Sequence, residues 1–157
     1  MSNEDFEAIK KIWDRINIWD DGIERRAFIA ETLLRIPESA KEKVLKDAVF
    51  VTMSGTYGAF LIGVPSELKS EDQLIKGSDG LTHVKIEVPL IFLNFALMEK
   101  DGVDEEERRS NVAHEIAHFI LGHKFSGGRE KEKEADDLIE KWGFKRAYQS
   151  YERFARS

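Results

Sequence analysis

The chain of 157 residues has no cysteine. That excludes disulfides and thiolate metal sites together, so a metal bound here must be held by histidine and carboxylate side chains. Long apolar runs are missing as well. No stretch approaches the roughly 18 consecutive apolar residues of a membrane span. The opening MSNEDFEAIKK has neither the basic region nor the apolar region of a secretion signal. A cytoplasmic protein with no membrane partner is expected. Positive charge is not in excess either: 24 Lys and Arg stand against 30 Asp and Glu, for a net charge of -6. The basic residues are interspersed with acids and form no stripe, so no nucleic acid is expected as a partner. Repeats and low-complexity segments are absent too.

What remains is the length of one ordinary domain, enough to bury a substantial core. Residues 1–46 read as a helical part. Phe6, Ile9, Trp13 and Ile16 mark a first helix, broken by WDDG, with its aromatic residues and Trp19 expected to pack in the core. Ile23, Ile29, Leu33 and Leu34 mark a second helix stopped near Pro37, and a third runs from about Glu38 to Lys46. Residues 47–88 read as strands. AVFVTM and AFLIGV, separated by SGTYG, form a hairpin pattern, SEDQLIKGSDG is a linker, and THVKIEV alternates Val84, Ile86 and Val88 against His83, Lys85 and Glu87. Residues 89–157 return to helix: an apolar PLIFLNFALMEK, two further helices, and a last one in KRAYQSYERFARS. The expected class is α+β, with a small, mostly antiparallel sheet.

The chemistry is concentrated in NVAHEIAHFIL. Val112, Ile116, Phe119 and Ile120 repeat at helical spacing, and DGVDEEERR before them puts acids at the positive end of that helix. His114 and His118, at i and i+4, then stand one above the other on one face, so both imidazoles can reach one ion. Glu115 between them points to the same side, where a general base is needed. A catalytic zinc takes three protein ligands and keeps a fourth position for water. The candidate third ligand is Glu132, in the helical pattern EKEKEADDLIEKWG that Gly143 is expected to close. Glu132, Ala135, Asp136 and Ile139 share one face of that helix. Ala135 is small enough for two helices to approach closely, and Asp136 can accept a hydrogen bond from the non-ligating nitrogen of a metal-bound histidine. His123 competes for the third place. On a continued helix it would be rotated about 140° from the metal face, and Gly122 before it is expected to end the helix, leaving His123 to cap carbonyls at the negative end of the dipole.

HEIAH followed by EKEAD resembles the gluzincin clan of zinc peptidases, and most closely its small soluble members, the minigluzincins and the ImmA/IrrE-type domain. The resemblance covers residues of about 80 to 143. It implies a zincin-like fold with His114, His118 and Glu132 on Zn2+, Glu115 as base and Asp136 as the orienting acid. A peptide or protein substrate is implied with them, which in ImmA/IrrE-type proteins is often a DNA-binding repressor. The metzincin subclass is excluded, because its Gly and His positions are held here by Leu121 and Lys124. Clan members hold substrate in extended form beside an edge strand, for which residues 83 to 88 are the candidate. Tyr148, Tyr151, Arg146, His83 and Tyr57 are candidates to stabilise an oxyanion. Small clan members can be self-inhibited by a terminal segment, here residues 145 to 157. The alternative to a peptidase is a catalytically idle or self-inhibited zincin-like regulatory module.

Overall fold

The structure is a computed structural model that describes residues 2–19, 23–53, 60–62, 74–76, 82–84, 89–99, 102–123 and 128–147. Helix α1 (Asn3–Trp13) starts at a capping box in which the Ser2 side chain accepts from the Asp5 backbone and the Asp5 side chain accepts from that of Ser2. This satisfies two of the otherwise orphaned donors of its first turn. A two-residue strand β1 (Ile18–Trp19) follows, then α2 (Ile23–Leu34) and α3 (Glu38–Asp47). All three helices lie where the apolar spacing places them. Their inward positions are Ile12, Ile29, Leu33, Val44 and Leu45. The aromatic residues behave otherwise than expected: Phe6 is 54% and Trp19 70% exposed. Among the described residues Trp19 lies on a short strand at the edge of the sheet.

Strand β2 (Val49–Met53) opens the central sheet, and β3 (Phe60–Ile62) and β6 (Leu90–Asn94) complete it. The order is β1-β2-β6-β3, with β1, β2 and β6 parallel and β3 antiparallel to β6. The expected hairpin of β2 with β3 therefore does not form, because β6 enters between them, and the sheet is mostly parallel rather than mostly antiparallel. PLIFLN supplies this inner strand. A short apolar run bounded by a proline fits a buried strand as well as a helix, and its β-branched and aromatic residues suit the sheet interior. Ile91 and Leu93 are fully buried, and helix appears only as a single turn, α4 (Phe95–Met98). A separate hairpin of β4 (Leu74–Lys76) and β5 (Thr82–Val84) occupies the segments read as a linker and as a possible substrate edge. Residues 85 to 88 of that expected edge lie outside the described residues.

Helix α5 (Glu105–Ile120) is the hub of the molecule. It packs against α2, α3, β3, β6 and α6 (Gly128–Lys141). From Arg109 to Phe119 every one of its residues is buried. Its start is a second capping box, Asp104 with Glu107, and Glu105, Glu106 and Glu107 line the first turn where the helix dipole favours acids. Arg109 ties the helix to α2 through Glu31 at 2.7 Å, and it also meets Glu105. Among the described residues no helix is long and apolar enough to cross a membrane.

Candidate metal centre

The ends of α5 and α6 explain how a buried polar cluster is held. At the end of α5, Gly122 has φ +70°. The amide of Gly122 bonds the Phe119 carbonyl and that of His123 bonds the His118 carbonyl. This pairing is a Schellman motif, in which a left-handed glycine turns the chain back over the last helical turn. Helix α6 ends the same way around Gly143, at φ +86°, with Phe144 bonded to Ile139. There the returning chain brings the Ala147 amide to Asp136 Oδ1 at 3.0 Å.

Between these ends three ligand atoms converge. His114 Nε2 lies 2.9 Å and His118 Nε2 3.3 Å from Glu132 Oε2, and the two Nε2 atoms are 3.1 Å apart. A tetrahedral site with metal–ligand distances of about 2.0–2.1 Å has edges of roughly 3.3–3.4 Å, so the triangle is close to the size that zinc needs. The donor set, two imidazoles and one carboxylate, could hold such an ion. Fully buried Ala135 lies on the face of α6 that carries Glu132 and Asp136, and its methyl side chain lets α6 approach α5 closely.

Tautomers follow from the partners. The Asp136 carboxylate only accepts, so His114 carries its proton on Nδ1 and donates it to Asp136 Oδ1 at 2.8 Å. In the neutral ring the Nε2 lone pair then faces the centre, and a second proton held there is donated to Glu132 Oε2. His118 is held by a longer chain: its Nδ1 lies 2.8 Å from His123 Nδ1, and His123 Nε2 lies 2.9 Å from Glu134 Oε2. His123 therefore caps no carbonyl with its ring. The expectation failed because the helix does end at Gly122, and the motif that ends it carries His123 back beside His118. That position follows from the spacing, since the second residue after the cap contacts the last turn. The role of Glu134 carries no comparable sequence signal in its charge run.

The electrostatics favour a cation at the centre. Burial alone would lower the His114 pKa, but hydrogen bonds to Asp136 and Glu132 outweigh it and raise it to about 9. Burial would likewise raise the Glu132 carboxyl, yet hydrogen bonds from His114 and His118 bring it down to about 2. Glu115 is buried and pushed up to about 7, first by desolvation and further by the Glu132 charge, against the opposing charge of His114. A proton on His114 answers this field, and a metal can take its place. Of the oxyanion candidates, Arg146 is engaged with Asp137 and Glu140 on the surface. Tyr57, Tyr148, Tyr151 and the rest of residues 148–157 lie outside the described residues, as does the His83 side chain. Residues 144–147 are not helical. No protein-family model, curated protein or solved structure matches this chain.

Proposed function

We propose that this chain is a zinc-dependent endopeptidase with a gluzincin-like site. The observation that carries the reading is the convergence of His114 Nε2, His118 Nε2 and Glu132 Oε2 beside a buried Glu115. Zinc held there by His114, His118 and Glu132 would supply a Lewis acid for the scissile carbonyl and lower the pKa of water towards neutrality. Glu115 would act as the general base for water and return the proton to the leaving amine. Burial raises the Glu115 carboxyl in the metal-free chain, the direction that favours a group able to hold a proton. His114 and His118 hold their Nε2 lone pairs on the centre, and Asp136 keeps His114 in the required tautomer. For the substrate backbone, β3 is the better edge than the 83–88 segment. Among the described residues it ends the main sheet, and it packs against α5. An extended peptide added there would pair through its backbone on the strand that packs against α5, the helix carrying His114 and His118.

The test is metal content by elemental analysis of wild type and Glu132→Ala, together with cleavage of an unfolded protein substrate. About one zinc per chain in wild type, lost in the variant, with cleavage that chelator stops and zinc restores, is the expected result. Zinc without cleavage would leave a binding module, and no zinc after reconstitution would remove the centre altogether.

A further inference from the structure

The two metal-facing histidines are oriented by unlike partners. His114 donates to a buried carboxylate, whereas His118 faces another imidazole, itself facing a half-exposed carboxylate. We propose that His123 and Glu134 form a positioning relay that fixes the tautomer and ring orientation of His118, and so the metal affinity of the centre. The inference rests on the metal-site reading above, and it concerns His123, which lies beyond HEIAH, and Glu134, the residue of EKEAD to which the resemblance gives no role.

With a metal on His118 Nε2, proton counting along the chain leaves one arrangement. Glu134 accepts at Oε2, so His123 bears its proton on Nε2 and donates it at 2.9 Å. A neutral His123 then has a lone pair on Nδ1, 2.8 Å from His118 Nδ1. That lone pair accepts the His118 Nδ1 proton, and His118 is left with its Nε2 lone pair on the triangle. Reversing the His123 tautomer would set two lone pairs against each other at the Glu134 end and two donors at the His118 end. Each link comes from a different piece of backbone. His118 is in the last turn of α5, His123 is beyond the glycine that ends it, and Glu134 is on α6 two residues past Glu132. The relay thus reports whether α5, its cap and α6 are docked. The His123 side chain is 9% exposed, which protects the inner link from water, while Glu134 is 53% exposed and reaches the rim.

Zinc affinity of the full chain, by competition with a chromogenic chelator, tests the relay in wild type, His123→Leu, Glu134→Ala and the double variant. Outer partners of a metal-bound histidine are worth roughly 10–100-fold in affinity. We expect a loss in that range for His123→Leu and a smaller loss for Glu134→Ala. The double variant should be no weaker than His123→Leu, because Glu134 acts only through His123. Nitrogen-15 spectra of the zinc-loaded protein should show the His123 proton on Nε2 in wild type and redistributed between Nδ1 and Nε2 in Glu134→Ala. Glu134 is at the surface, so that variant keeps the test open if His123→Leu folds poorly. Wild type that binds zinc, with both single variants binding as tightly, overturns the relay and leaves the metal site standing. Zinc that survives Glu132→Ala but not His123→Leu makes His123 a ligand and also overturns it. Wild type that binds no zinc removes the site and the relay together.

Discussion

At the residue scale the centre separates into groups that hold charge and groups that move a proton, and substitutions should divide along that line. Glu115→Gln keeps the shape of the side chain but cannot take a proton. Hydrolysis should therefore fall to background while zinc content, read by elemental analysis, stays near that of wild type. An active variant would show that another base does the work. Asp136→Ala acts differently, because Asp136 Oδ1 serves two donors, the His114 ring and the Ala147 amide. Zinc affinity should drop roughly 10–100-fold through His114. Denaturation of the chelated protein should also show a loss of about 1–3 kcal/mol for the hydrogen bonds to the buried carboxylate that the variant removes. Loss of affinity with no loss of stability would mean that the returning chain is held by something else. These residues were readable in the sequence because helical spacing alone brings 114 and 118, or 132 and 136, onto one face. His123 was misread because its position depends on a change of backbone hand at Gly122.

At the scale of elements, the helix ends matter more to the site than the helix bodies. Among the described residues a methyl group on Gly122 meets no atom within 4 Å, and the left-handed backbone gives Gly122→Ala a penalty of about 1–2 kcal/mol. The variant should escape part of that strain by refolding the cap, moving His123 and weakening zinc binding. Asp104→Ala is the matching control at the other end of α5. Loss of its cap should cost about 1 kcal/mol and leave zinc affinity, measured by chelator competition, unchanged. Equal zinc affinity in the two variants would deny the cap any part in building the site. Helices α1, α2, α3, α5 and α6 were readable because one face of each repeats apolar residues and their caps are local. The sheet was not, since its order depends on β6 entering between β2 and β3 across more than 25 residues of chain. A buried inner strand such as LIFLN lacks the alternation that distinguishes strand from helix.

For the whole molecule, burying this cluster in the hub helix couples folding to pH, and the sign can be worked out group by group for the chelated protein. His114 titrates at about 9 in the folded chain against 6.5 when unperturbed. Between those values the folded state holds a proton that the unfolded state has released, so stability falls as pH rises. Glu115, raised to about 7 from 4.5, acts in the same direction over its own lower window. Glu132 opposes them at the acid end. With its folded pKa near 2, its contribution is present above 4.5 and is lost as pH falls towards 2. The cluster should therefore stabilise the chelated fold most near pH 5 and progressively less up to pH 9. Zinc reverses the alkaline limb, because its ligands must give up their protons and its affinity rises with pH. At fixed free zinc the added stability, RT ln(1 + [Zn]/Kd), grows over the same range in which the chelated protein weakens. Urea midpoints measured from pH 6 to 9 should therefore fall with chelator and hold or rise with zinc. Parallel curves would mean that protons and metal do not compete for one lone pair, and the His114–His118–Glu132 triangle could not be the metal's site.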